Sequence, residues 1–188
     1  MKFFTSDLHI SHANICKFTN RKLFTSQELH DQWLVELHNK QVTSSDLVFI
    51  LGDLSFGKYE HTKEILQAMQ GQKIAIKGNH DNEQHLSKLA KEGIIQGWKL
   101  YDEITIQETK ACLFHFPILA WNKQHYGSWH LFGHSHGSLT PPGKCLDVGL
   151  DSSYNLFGEH KYFTEQDIAD IMQTKEIYIA EQHRQDRS

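Results

Sequence analysis

The feature that most constrains this chain is a short run, Leu47-Val48-Phe49-Ile50-Leu51, apolar at every position and cut off by Gly52-Asp53. A strand with one wet face alternates polar and apolar residues. One that does not alternate must be covered on both faces, as buried parallel strands are. The flanking segments supply that cover. A strand at 2–5 comes first, then a helix at 26–41 with Ser26 as N-cap and Leu29, Trp33, Leu37 and Val42 as its apolar face. A helix at 60–70, with Ile65, Leu66 and Met69 inward, a strand at 73–77 and a helix at 83–92 complete the pattern. Strands alternating with helices predict a parallel sheet with crossover helices. After Gly93 the pattern changes. Segments 98–106, 111–116, 129–132 and 145–148 read as strands with no helix between them, which predicts a second, mostly antiparallel or mixed sheet. A late helix is expected at 165–173 and a short strand or extended segment at 177–179. With 188 residues and no internal repeat or linker, the expectation is one domain over 1–180 and a polar tail over 181–188.

Charge and cysteine usage exclude some roles. A net charge of -4 provides no basic field for coating nucleic acid. The opening MKFFTSDLHISH turns polar by residue 5, unlike a signal peptide, and no apolar stretch is long enough to span a membrane. Cys16, Cys112 and Cys145 are scattered and odd in number, which fits reduced thiols in a cytoplasmic protein.

Fourteen histidines are more than a chain of this size needs, and several cluster with Asp, Asn and Gly immediately after predicted strands. These clusters are Asp7-Leu8-His9, Gly52-Asp53, Gly78-Asn79-His80-Asp81, His115, and Gly133-His134-Ser135-His136. Ligands of open α/β sheets bind beyond the carboxyl ends of the strands, so the clusters are expected to converge. Asp-x-His and His-x-His on an extended chain put two side chains on one side, each pair able to grip one ion. The glycines permit tight turns and close approach. Imidazole and carboxylate without thiolate suit manganese, iron or zinc. Two divalent ions against the charges of Asp7 and Asp53 would leave a positive pocket, which a phosphate ester would neutralise.

This ordered set, spanning residues 5 to 136, resembles the calcineurin-like metallophosphoesterase superfamily. The opening Asp7-Leu8-His9-Ile10-Ser11-His12-Ala13-Asn14 further resembles its small bacterial and phage branch. The resemblance implies a four-layer α/β/β/α sandwich of two mixed sheets flanked by helices. It implies Asp7, His9, Asp53 and His136 on one metal, and Asp53, Asn79, His115 and His134 on the other, with Asp53 bridging. His80 would stabilise the transition state or protonate the leaving oxygen, and Asp81 would support the loop and orient His80. The implied cofactor is a pair of divalent ions, manganese first, with iron, zinc or nickel as alternatives. The implied reaction is hydrolysis of phosphomonoesters or phosphodiesters of nucleotide type by a metal-bound hydroxide. A nuclease and a non-catalytic scaffold of the same fold are the rival readings. Phosphoprotein phosphatases of the superfamily carry a further Asp and an Arg after Gly-Asp, whereas this chain continues Leu54-Ser55-Phe56-Gly57. Arg21, with Asn14 and His12, is the expected replacement contact for substrate phosphate. Residues 10–25 and 117–129 are the expected walls of an open site.

Overall fold

A computed structural model of the protein describes residues 1–12, 14–21 and 24–178. Strand β1 (Lys2–Thr5) pairs in parallel with β2 (Leu47–Leu51), β2 with β3 (Gln72–Ile76), and β3 with β4 (Gly97–Lys99). The short β9 (Phe163–Thr164) closes the other edge, antiparallel to β1, giving the order β4-β3-β2-β1-β9. In the second sheet, β5 (Tyr101–Ile106) is antiparallel to β6 (Thr109–Phe114). There β6, β7 (Trp129–Phe132) and β8 (Cys145–Asp147) run parallel. Both sheets are mixed, and helices flank them in the α/β architecture that the motifs implied.

The two faces of the first sheet show why its strands are apolar throughout. Phe3, Val48, Ile50 and Ala75 pack against Leu34, Leu66, Leu86 and Leu89. Those leucines lie on helices α2 (Gln27–Gln41), α3 (Tyr59–Ala68) and α4 (Glu83–Lys91). The alternate residues Phe4, Phe49, Leu51 and Ile76 face the second sheet through Ile106, Ala111, Leu113, Leu131 and Leu146. Covering the outer face of that second sheet, Ile118 and Trp121 pack on Cys112, Phe132 and Cys145. Caps fix the helix starts. The Ser26 hydroxyl accepts from the Leu29 N–H, and Thr164 with Asp167 forms a reciprocal capping box at α6 (Glu165–Gln173).

The structure corrects several expectations. On α2 the buried stripe is His30, Asp31, Leu34 and His38, while Leu29 is half exposed. Polar side chains occupy that stripe because each finds a partner inside. The strand expected at 98–106 breaks at Leu100 into β4 and β5, which belong to different sheets. Helices α1 (Ile15–Phe18) and α5 (Leu150–Phe157) and strand β9 were not anticipated. Four residues and two residues are too short for periodicity, and α5 begins directly after Gly149 with two buried serines on its inner face. Of the two alternatives expected at 177–179, the strand is excluded for Ile177 and Tyr178, which carry no regular secondary structure. Ile179 and the tail expected at 181–188 lie outside the described residues.

Candidate metal centre

Strands β1, β2, β3, β6 and β7 all deliver their carboxyl ends to one edge, and each motif follows one of those ends. The loops go on pairing beyond the strands. Asp7 N–H donates to Gly52 O (3.0 Å), His9 N–H to Asp53 O (3.0 Å) and Gly133 N–H to His115 O (2.9 Å). Three glycines let the backbones meet this closely. A Cβ at Gly52 would run into the His115 ring, one at Gly78 into Asp53, and one at Gly133 into Ser6 and Asp7.

Two groups of donor atoms result. Asp7, His9 and His136 form one, and Asp53, His115 and His134 the other, each with its atoms within 4.8 Å of one another. Asp53 lies between them. Its Oδ2 is 3.9 Å from His9 Nε2, and its Oδ1 is 3.5 Å from His115 Nε2. Asn79 joins the second group, its Oδ1 2.9 Å from His115 Nε2. The spacing argument that each x-separated pair serves one ion fails for His134 and His136, which fall in different groups, as the resemblance implied. The chain there is not extended. Asp7, His9, Asp53, His134 and His136 all have left-handed φ, between 49° and 69°. Such conformations cost of order 1–3 kcal/mol each and persist where the surroundings enforce them. Five in one site mark it as the place where the fold stores strain.

Hydrogen bonds present the histidines as ligands. His115 Nδ1–H donates to Leu51 O (2.8 Å), and His136 Nδ1–H to Asp151 Oδ2 (2.7 Å). In both rings Nε2 is thereby left with its lone pair facing the cluster. His9 Nε2 is buried without a hydrogen-bond partner, an orphan that costs free energy unless something completes it. A divalent cation would complete it, so the donor set fits a metal. Burial alone would raise the Asp7 pKa, but the His9 contact, the fields of His136 and His115 and the Ser6 hydroxyl outweigh it and hold Asp7 ionised. For His9 and His134 burial is the main cause of a lowered pKa, which favours the neutral ring a metal requires. His136 goes the other way. Burial opposes its protonation, and the Asp151 bond with the Asp7 field reverses that.

His80 lies at the mouth, its side chain 49% exposed and Nε2 4.0 Å from Asp53 Oδ2. Asn79 and His134 are also exposed, so the site opens to solvent there. Asp81 does not orient His80. Its buried carboxylate accepts from Leu54 N–H and Gly78 N–H (2.8 Å each), stapling the two loops together.

Arg21 is corrected as well. It is only 1% exposed, and its guanidinium is spent on Asp151, on the carbonyls of Asp7 and Leu8 and on His30. No N–H remains for a substrate. Its chemistry is instead to neutralise Asp151, the carboxylate that aims His136. Arg21→Met should therefore destabilise the protein by about 3–5 kcal/mol, because it strands a buried carboxylate and two carbonyls. Urea denaturation checks this, and a loss below about 1 kcal/mol would refute it. Asn14 is exposed and makes no side-chain bond to α1. His12 lies closer in, its Nδ1 2.8 Å from His9 Nδ1. Of the first expected wall, Lys17, Phe18, Thr19 and Asn20 line a cleft of about 250 Å³ with His136 and Asp151. The second is mixed, with Trp121 and Trp129 buried but Leu119 and Tyr126 63% and 76% exposed.

Sequence reasoning set Asp147 and Asp151 aside as turn residues near the site, although Asp147 ends β8 and Asp151 follows it, much as the other motifs follow their strands. Asp147 accepts from Ser135 Oγ, Gly137 N–H and Gly149 N–H, bracing the His134–His136 loop. Burial and the nearby charge of Asp7 raise its pKa. The strand-end rule applied once more would have found both.

No family model matches the chain. A gene 66 protein of Mycobacterium phage D29 is 30% identical over 186 residues, covering 82% of this chain and 89% of that protein. An uncharacterised protein of Methanocaldococcus jannaschii is 28% identical over 158 residues, covering 79% and 81%. Among solved structures, a protein of unknown function from Aquifex aeolicus overlays with a TM-score of 0.68 at 20% identity, covering 91% of this chain and 98% of that one. The likeness to the solved structure carries the fold, and the likeness to the phage protein carries kinship. The chain belongs to one family with the phage D29 gene 66 protein, and its five ordered motifs, gathered here into two ligand clusters, resemble those of the calcineurin-like metallophosphoesterases.

Proposed function

We propose that this protein is a phosphoric ester hydrolase dependent on two divalent ions, with manganese the first choice. The observation that carries the reading is the shared carboxylate, one Asp53 oxygen toward each ligand group. Asp7, His9 and His136 would hold one ion with Asp53, and Asn79, His115 and His134 the other. Bound there, the ions would supply Lewis-acid polarisation of the phosphoryl group and activation of water at neutral pH. The chain's own groups do the rest. His80, exposed at the mouth, holds the proton for the departing oxygen. Arg21 and Asp151 keep the His136 tautomer in place. Leu51 O does the same for His115.

The substrate class is a phosphate ester of small size. An open mouth and a mainly polar cleft beside His136, with Phe18 on its wall, support a nucleotide-like ester. Among the described residues no helix is long and apolar enough to cross a membrane. The test is hydrolysis of an aryl phosphomonoester and an aryl phosphodiester by metal-stripped protein, before and after manganese is added. Manganese-dependent turnover is expected, and the ratio of the two rates assigns the ester class. Failure to bind any divalent ion would overturn the reading.

A further inference from the structure

Residues 54–57, which follow Asp53, carry no charged group, and the Asp81 carboxylate is spent on Leu54 and Gly78. An exposed imidazole with two free torsions would sample many orientations, and a proton donor is useful in few of them. The structure supplies a different restraint. The Phe56 ring lies 4.5 Å from the His80 ring at 36° and is itself stacked on His12 at 4.3 Å and on His9 at 5.0 Å. This is a continuous aromatic array running from a candidate metal ligand to the mouth of the site. Phe56 is 40% exposed, so it does not serve the core. Yet its backbone is pinned. Phe56 N–H donates to Ile10 O (2.9 Å), Ser55 Oγ bonds Thr62 Oγ1 (2.7 Å), and Gly57 N–H donates to Ser55 Oγ (3.0 Å). A Cβ at Gly57 would strike Ser11, so the turn carrying Phe56 is pressed against the motif that carries His9.

We propose that Phe56 is a positioning residue: it holds the His80 ring by aromatic contact in the orientation from which the ring serves the departing oxygen. The inference rests on the phosphoesterase reading for its consequence in turnover, but the contact itself can be tested without turnover. In proton NMR of the metal-free protein, the His80 ring signals, identified by their disappearance in His80→Gln, should carry a ring-current shift from Phe56. In Phe56→Ala they should move toward free-imidazole positions.

In the manganese-loaded protein, Phe56→Ala should lower kcat for phenyl phosphate, whose leaving group needs a proton, by about tenfold. For 2,4-dinitrophenyl phosphate, whose leaving group needs none, the loss should stay within about threefold. KM should hold, Phe56→Tyr should restore the rate, and Phe56→Ala should cost nothing further in a His80→Ala background. Equal losses on both esters, an additive double variant, or unmoved His80 signals would each overturn the proposal. No turnover of any ester by the metal-loaded wild type would sink the phosphoesterase reading instead, and the NMR result would still decide whether Phe56 holds His80.

Discussion

Asp53→Asn is expected to loosen both divalent ions together and to cut turnover of an aryl phosphate by at least about 10³-fold, roughly 4 kcal/mol of transition-state stabilisation. The reason is geometric. The two carboxylate oxygens of Asp53 face different ligand groups, 3.5 Å from His115 Nε2 and 3.9 Å from His9 Nε2. An amide keeps one acceptor oxygen, turns an N–H₂ toward the other cation and removes a full negative charge between two dications. The damage extends to the His80 loop, because Asp53 Oδ1 also accepts the His80 N–H at 3.1 Å. Metal content by elemental analysis, with titration calorimetry of manganese, reads the first effect, and steady-state rates read the second. If one ion departs while the other keeps wild-type affinity, Asp53 does not bridge.

Acid should unfold the metal-free protein over a defined window. His38 and His130 are both fully buried, and burial lowers each from an ordinary 6.5 to about 4. The carbonyls beside each ring, Gln70 O at His38 and Cys112 O and Phe116 O at His130, pull the other way without cancelling the effect of burial. His38 Nε2–H donates to Gln70 O (2.7 Å), and His130 Nδ1–H donates to Cys112 O (3.2 Å) while its Nε2 accepts from Ile118 N–H (3.3 Å). The unfolded chain takes up these protons near pH 6.5 and the folded chain only near 4, so between those values the unfolded state binds more protons. Stability is full above about pH 6.5 and falls as pH drops through the window, by about 3 kcal/mol for each histidine. Together that is about 6 kcal/mol, comparable with the whole stability of many domains. Chemical denaturation at pH 7, 5.5 and 4 measures the loss, and His38→Gln, which keeps a donor for Gln70 O, should remove about half of it. A flat profile from pH 7 to 4 would show that these rings are solvated in the folded state.

Much of the fold could be read directly because it rests on local physics. The unbroken apolar run at 47–51 has the pattern of a strand covered on both faces, and Phe49 and Leu51 indeed face one core while Val48 and Ile50 face the other. Ser26 capped its helix because a serine hydroxyl before a periodic segment has an N–H to accept from. Site residues were legible for a related reason: each follows a strand that periodicity reveals, and the sheet topology brings those strand ends together.

What stayed hidden depends on partners far along the chain. Arg21 reads as a solvent-facing phosphate clamp in a polar loop, and only contact with Asp151, 130 positions later, makes it an internal brace. The buried stripe of α2 is polar because Asp31 accepts from Ser11 N–H and His61, and His38 reaches Gln70 O, partners that helical periodicity cannot reveal. Spacing alone also hid the division of His134 and His136 between the two ligand groups, which the family resemblance implied, because it depends on left-handed backbone that the surrounding loops impose. Sequence by itself determined which donor atoms exist and which edge of the sheets they reach. Tertiary structure decided how they are shared and which neighbouring charges serve substrate or scaffold, because burial and long-range hydrogen bonding set those roles and neither is a local property.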